Sequence, residues 1–210
     1  KKLGKLLVAQ EKKESDKLEK IFDNAKKCGI DNLRFIDGDE LKRMEPCVRS
    51  AKTLLIPDTG ILDSHAAMKF LYDYSRTRNV DFVFSTAVTG IKKTSAGYKI
   101  TVKEYNGETF DFLSDRVVNS AGLSSEIIAK MVGIDTHRYG YTLHYSKGQY
   151  FRIKNPLKFG ISHLVYPPPT NIDLGIHLTP DLAGGLRLGP DSQYVDVIDY
   201  SVDETASQKF

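Results

Sequence analysis

Apolar residues recur at helical spacing through the first third of the chain and at strand spacing from residue 80 onward. Residues 5–10 (KLLVAQ) read as a short strand. Over residues 11–28, Leu18, Ile21, Phe22 and Ala25 share one helical face opposite a highly charged one, and Gly29 supplies a stop. Residues 37–45 read as a short helix carrying Leu41 and Met44, halted before Pro46. Residues 53–57 are a brief apolar strand, and Asp58-Thr59-Gly60 is a turn. Asp63 or Ser64 then caps an amphipathic helix whose Ala67, Phe70, Leu71 and Tyr74 form the face expected to be buried.

Residues 80–84 and 87–93 are short and rich in β-formers. Residues 98–104 alternate cleanly, with Tyr98, Ile100 and Val102 on one side and lysine or threonine on the other. Asn106-Gly107 signals a type I′ hairpin, in which both central residues take positive φ, and residues 109–113 return. Residues 116–121 read as a strand running into Ser120-Ala121-Gly122. A helix follows, with Ser124 or Ser125 as N-cap and Ile127, Ile128 and Met131 on one face. Small residues at such a turn permit close backbone approach, and the positive helix end suits an anion such as a pyrophosphate. An ordinary tight connection fits the same pattern. Farther on, residues 139–153 are aromatic and strand-like, broken at Lys147-Gly148. Residues 164–166 are a short strand, and residues 174–178 and 185–188 read as a pair closed by Gly189-Pro190-Asp191. The resulting fold class is α/β (α+β), with a β-meander inserted in a crossover and a mostly antiparallel sheet after a boundary near residue 134.

Composition narrows the function only by exclusion. The chain has 210 residues, is 40% hydrophobic and 27% charged, and carries a net charge of +3, which is ordinary for a globular protein. Its lysines, Lys1, Lys2 and Lys5 included, are interspersed with acids and read as solvated faces and not as a nucleic-acid footprint. Cys28 and Cys47 make neither a disulfide framework nor a metal quartet, and a reduced cytoplasmic setting is the simplest inference. No apolar run has membrane-span length, so no integral membrane segment is expected, although peripheral contact is open. The five histidines show no metal-binding spacing, and no metal is expected.

Three phrases, RVVNSAGLSS, KGQYFRI and GIHLTPDLAGGLRLGPD, in this order and at these separations, resemble the D-amino-acid-oxidase-like FAD-dependent oxidoreductases. The third phrase is narrower than the others and points to the L-2-hydroxyglutarate oxidase or dehydrogenase branch. The resemblance covers nearly the whole chain. It implies a flavin domain with a doubly wound core, a substrate domain on a mixed, mostly antiparallel sheet, and oxidation of an α-hydroxy acid to a 2-oxo acid. The implied domains are 1–133, part of the FAD-binding domain (with 1–50 able to pack on the substrate domain), and 134–210, part of the substrate-binding domain. Runner-up activities are glycerol-3-phosphate dehydrogenase and amino-acid oxidase of the same superfamily. A non-enzymatic α+β binding module is the alternative outside enzymes. The G-x-G-x-x-G that such a family places after its first strand occurs nowhere here. The chain therefore reads as an internal fragment, inactive by itself, whose isolated form is expected to bind FAD poorly.

The resemblance assigns roles residue by residue. His177 in GIHLTP is the candidate base, since imidazole titrates near neutral pH; a strand histidine bonded to a neighbour is the equal alternative. Lys147 and Tyr150 in KGQY, and Arg187, are candidates for holding a substrate carboxylate. For each, a solvent-facing side chain is the commoner case. His144 is a weaker candidate, His65 a surface or capping neighbour, and His137 and His163 lack an evident partner. The FAD contacts implied are Val88 at the adenine and Ser120, Ala121, Gly122 and Leu123 near the pyrophosphate or ribityl chain. The substrate is a small dicarboxylate or hydroxy acid, and the electron acceptor is unspecified.

Overall fold

The computed structural model describes residues 1–170 and 174–210. In chain order the elements are β1 (Lys5–Ala9), α1 (Lys12–Lys27), β2 (Arg34–Ile36), α2 (Gly38–Met44), β3 (Lys52–Ile56), α3 (Ser64–Arg76), β4 (Thr86–Thr94), β5 (Gly97–Glu104), β6 (Thr109–Ser114), α4 (Ser125–Met131), β7 (Tyr145–Lys147), β8 (Phe151–Arg152), β9 (Leu164–Tyr166), β10 (His177–Pro180), β11 (Leu186–Gly189) and β12 (Gln193–Val195). Two compact units result, Lys1–Phe70 with Ser146–Phe210, and Leu71–Tyr145. These limits differ from a division near residue 134, because β1–β3 and β8–β11 share one sheet.

That sheet organises the first unit. Its seven strands run β2-β3-β1-β9-β10-β11-β8. β1 and β9 are parallel, with Lys5 opposite Leu164 and Leu7 opposite Tyr166; the other neighbours in the sheet are antiparallel. Strand side chains alternate between faces, and here each face has its own core. Leu6, Val8, Leu55 and Val165 pack with Ile36 and Leu41 on one face, and α2 covers it. Leu7, Ala9 and Leu54 pack on the other against Leu18 of α1, with Ile21, Phe22 and Ala25 beside it. α1 begins at a capping box between Glu11 and Glu14 and ends before Gly29, whose φ is 76°. α2 is capped by Asp37, whose side chain accepts from the Glu40 N–H at 2.8 Å. β7 pairs with β12 as a separate two-stranded sheet.

The second unit is built on the meander β4-β5-β6. Ile91, Ile100 and Val102 make its core, and Ile128, Met131 and Val132 of the α4 region pack on it. Ile127, expected on the same face, is exposed. The β5–β6 connection is not type I′. Only Gly107 takes positive φ (93°), the Gly107 N–H donates to the Glu104 carbonyl at 3.0 Å, and the Glu104 N–H donates to the Glu108 carbonyl at 2.9 Å. This is a three-residue connection with glycine in the left-handed position, held further by the Asn106 side chain, which accepts from the Glu108 N–H at 2.9 Å.

Several expected elements differ. Residues 80–84 and 116–121 are outside any strand, since a strand needs a neighbouring ladder and none pairs with them among the described residues. Residues 139–144 are turn and irregular structure, and the strand expected at 174–178 begins only at His177. α3 forms, capped by Asp63, whose side chain accepts from the Ala66 N–H at 3.0 Å. Its apolar face is not buried: Phe70, Leu71 and Tyr74 are 65%, 60% and 48% exposed. Among the described residues no helix is long and apolar enough to cross a membrane.

Candidate functional site

The candidate site is the second face of the seven-stranded sheet, beyond the part that α1 covers. Register and alternation place Lys5, Tyr166, His177, Thr179, Arg187 and Arg152 on this face. His177 heads β10 opposite Gly189. It is 5% exposed, and its ring lies 3.8 Å, centre to centre, from that of Tyr166. A tilted ring pair of this kind fixes the imidazole plane.

Tyr150 comes to the same place from the other side. Gly189 has φ 135°, and a Cβ there would stand 2.6 Å from the Gln149 carbonyl oxygen and 2.9 Å from the Tyr150 ring. Only glycine lets these strands approach so closely. Burial pushes the Tyr150 phenol above its usual range, nearby Tyr166 adds to this, and Arg187 opposes it. His177, Tyr166, Tyr150 and Arg187 therefore form one neighbourhood. Lys5 joins it, with Nζ 5.4 Å from the Tyr166 ring centre. Lys5 is half-buried and not on a solvated face, and burial lowers its pKa.

Lys147 is elsewhere. It lies on β7, and its ammonium donates to Asp199 at 2.5 Å and to Ser201 at 3.3 Å. The Lys147 hydrogen bond, with further bonds from Ser201, holds the Asp199 carboxyl well below the usual range. His163, expected to lack a partner, is bonded through Nδ1 to buried Glu45 at 2.7 Å. His65 lines a cleft of about 550 Å³ with Ser64, Arg152, Thr179, Asp181 and Arg187. Lys5, Tyr166 and Arg152 escaped the sequence reading because nothing local marks them; only the pairing of β1 with β9 and of β8 with β11 brings them here.

The residues expected to meet FAD lie in the second unit. Gly122 has φ 56°, and a Cβ there would meet nothing within 4 Å. Leu123 and Val118 beside it are 45% and 85% exposed. The Ser120–Leu123 segment thus runs into a 3-10 turn at Gly122–Ser124 with its backbone accessible to a ligand. Ser124 occupies the N-cap position of α4 without a capping bond from its side chain, and Asn119 instead donates to the Ser125 carbonyl at 2.8 Å. Val88 lies in β4 at an irregularity in register between Val88 and Gly90. It is partly exposed, as a backbone contact to a ligand requires.

Comparison with known proteins identifies the family and the fold. The L-2-hydroxyglutarate dehydrogenase of Arabidopsis thaliana mitochondria is 31% identical over an alignment 247 positions long, covering 100% of this chain and 51% of that protein. The Escherichia coli K12 L-2-hydroxyglutarate dehydrogenase is 26% identical over 194 residues, covering 90% and 43%. The chain thus spans about half the length of these curated relatives. Among solved structures, the L-alpha-glycerophosphate oxidase of Mycoplasma pneumoniae with FAD bound superposes with a TM-score of 0.80 at 23% identity, over 98% of this chain and 52% of that one. That likeness establishes the fold. The model of the DAO family, FAD dependent oxidoreductases, matches residues 1–210, and the chain belongs to that family.

Proposed function

We propose that the protein of which this chain is part oxidises L-2-hydroxyglutarate, or a closely similar 2-hydroxy dicarboxylate, to the 2-oxo acid. The supporting observation is the buried His177, held against Tyr166 and beside Tyr150 on a sheet face that also carries Lys5, Arg152 and Arg187. The chain's likeness to L-2-hydroxyglutarate dehydrogenases supports the choice of substrate. When bound, FAD supplies the two-electron acceptor for the hydride leaving the hydroxyl-bearing carbon. In this reading the seven-stranded sheet binds substrate, and the bend at Ser120–Leu123 with Val88 contributes backbone to the FAD site.

His177 is the base that takes the hydroxyl proton as the C–H bond breaks. Neutral imidazole accepts one proton near neutral pH, and the low-dielectric surroundings of a 5% exposed side chain strengthen any hydrogen bond it makes to substrate. Tyr150 keeps its proton and is a neutral donor, because burial opposes its ionisation. Lys5 and the arginines supply positive charge for carboxylates.

The test is turnover of the full-length FAD-loaded protein with L-2-hydroxyglutarate, glycerol 3-phosphate and amino acids under an artificial electron acceptor. L-2-hydroxyglutarate is the expected substrate, and His177→Asn lowers kcat by about 10²–10⁴-fold, the usual contribution of general-base catalysis. Preferential oxidation of glycerol 3-phosphate or an amino acid would sink the substrate assignment. Wild-type kcat in the His177 variant would remove the base.

A further inference from the structure

Arg152 and Arg187 stand directly opposite each other across the β8–β11 pair. Like charges in that relation weaken an antiparallel pair unless something compensates. Asp181 does so from the turn that joins β10 to β11. Its Oδ1 accepts from the Ala183 N–H at 2.9 Å and the Gly185 N–H at 2.7 Å, which fixes the carboxylate to the turn. Its Oδ2 then stands 3.8 Å from Arg152 Nη2 and 3.9 Å from Arg187 Nη2. At those distances the contacts are ionic and not hydrogen bonds. Among the described residues neither guanidinium hydrogen-bonds a protein acceptor. Asp181 offsets one of the two positive charges, and the fork-shaped donors are uncommitted.

These donors border the cleft of about 550 Å³. Its other wall includes Asp63, Ser64 and His65 at the start of α3, where the Asp63 carboxylate caps the helix. Position matters as much as charge. Arg187 pairs with Thr179, two residues along β10 from His177, or about 7 Å at the usual strand rise. A five-carbon diacid, with four C–C bonds of about 1.5 Å, spans about 5 Å. Three of those bonds, about 4 Å, separate the hydroxyl-bearing carbon from the far carboxyl carbon, so a substrate with its hydroxyl at His177 brings its far end within reach of a long arginine side chain.

We propose that Arg152 and Arg187 form the subsite for the carboxylate of a hydroxy diacid remote from the carbon that is oxidised, with Asp181 a positioning residue that holds the two cations together until that carboxylate arrives. The assignment rests on the oxidation reading above for its substrate, but the subsite itself is testable without turnover. It makes this cleft selective for dicarboxylates over monocarboxylates: the second carboxylate of a diacid takes up the uncommitted guanidinium donors, whereas a monoacid leaves them unused.

The experiment is calorimetric titration of the FAD-loaded full-length protein with glutarate, which has no hydroxyl to oxidise, and with butyrate. Arg152→Met and Arg187→Met each weaken glutarate binding about ten- to hundredfold, the range expected for a lost charge-assisted bond, and leave butyrate unchanged. Arg→Lys at either position restores part of the loss. Both side chains are at least half exposed (73% and 50%), so the fold tolerates these changes. In turnover, the Met variants raise KM for L-2-hydroxyglutarate with kcat within about threefold, and leave L-2-hydroxybutyrate unaffected. Asp181→Asn keeps the acceptor for the turn but removes the charge, so it tightens glutarate binding several-fold at low salt, and the gain fades in high salt. Unchanged glutarate affinity in the double Met variant overturns the subsite and spares the oxidation reading. Arginine-dependent glutarate binding without L-2-hydroxyglutarate turnover does the reverse. Weaker glutarate binding in Asp181→Asn overturns the role given to Asp181.

Discussion

Replacing Glu45 by alanine should destabilise the protein by about 2–6 kcal/mol, from the loss of one carboxylate oxygen. Glu45 follows α2 and is 0% exposed. Its Oε1 accepts from the Ser162 N–H at 2.9 Å, the Ser162 hydroxyl at 2.7 Å and the His163 N–H at 2.8 Å, and it bonds His163 Nδ1 at 2.7 Å. The hydroxyl can turn elsewhere and the imidazole can change tautomer, but the two backbone N–H groups are fixed. Each makes a part-buried bond to a charged acceptor, worth about 1–3 kcal/mol, which gives the range above. That is a large share of a typical total of about 5–15 kcal/mol. The loss matters to the site as well. His163 leads directly into β9, and its ring packs at Gly4, where a Cβ would meet it at 3.1 Å; β1 follows. Glu45 thus ties α2 to the strands that carry Tyr166 and Lys5. Urea unfolding followed by far-UV circular dichroism measures the cost. Glu45→Gln is the sharper companion: it keeps the acceptor but puts an amide where Oε2 has no partner among the described residues, for a cost of about 1–3 kcal/mol. A Glu45→Ala variant within about 0.5 kcal/mol of wild type would refute the reasoning, because neither N–H could then depend on this carboxylate.

Glu126 should make the second unit acid-sensitive. The Leu143 N–H, then Lys130 and Thr136, lower its pKa from 4.5 to about 2, so the stabilisation is complete above the unfolded value near 4.5 and is lost as pH falls toward 2. The protection factor of the Leu143 amide, followed by hydrogen exchange, should drop across that window in wild type and be low and flat in Glu126→Gln; a flat wild-type profile would count against the link. Gly189→Ala, forced into φ 135° with its Cβ 2.6 Å from a carbonyl oxygen, should cost more than about 1 kcal/mol by urea unfolding. A neutral result there would mean that β11 and the Tyr150 segment are farther apart than described.

Local pattern was enough wherever an element carries its own instructions. α1 has a charged capping box, a periodic apolar face and a glycine stop, and it forms between Lys12 and Lys27 as its spacing predicts. The strand Leu164–Tyr166 and the closure of the β10–β11 pair at Gly189 were legible for the same reason. Pattern failed where the outcome depends on a neighbour. Residues 80–84 have the side chains of a strand but no ladder among the described residues, and the apolar side of α3 is open. Asn106-Gly107 failed differently. The dipeptide permits type I′, but the Asn106 side chain takes up the Glu108 N–H, and a glycine-bulged turn results.

The site shows this division most sharply. His177 and Arg187 stood out through the company they keep in one phrase, whereas Lys147, from a phrase that looked equally informative, is committed to Asp199. What separates them is first the sheet, since Lys147 lies on β7 of the two-stranded sheet, and within the seven-stranded sheet it is register. A strand residue faces the site or faces away according to the parity of its position, and a shift of one residue reverses it. Lys5 opposite Leu164, Tyr166 opposite Leu7 and Arg152 opposite Arg187 all depend on pairings between segments far apart in the chain. α1 explains why the face stays polar: with Leu18 it covers the β1 and β3 side, where Leu7 and Leu54 are apolar, and Tyr166 lies at the edge of that cluster. From Tyr166 outward the same face turns to histidine, threonine and arginine, which would be costly under a helix. The sheet thus has one continuous face with two coverings. A helix from this chain serves the apolar half, and in the proposed reading the polar half is the surface on which a charged substrate takes the place of water.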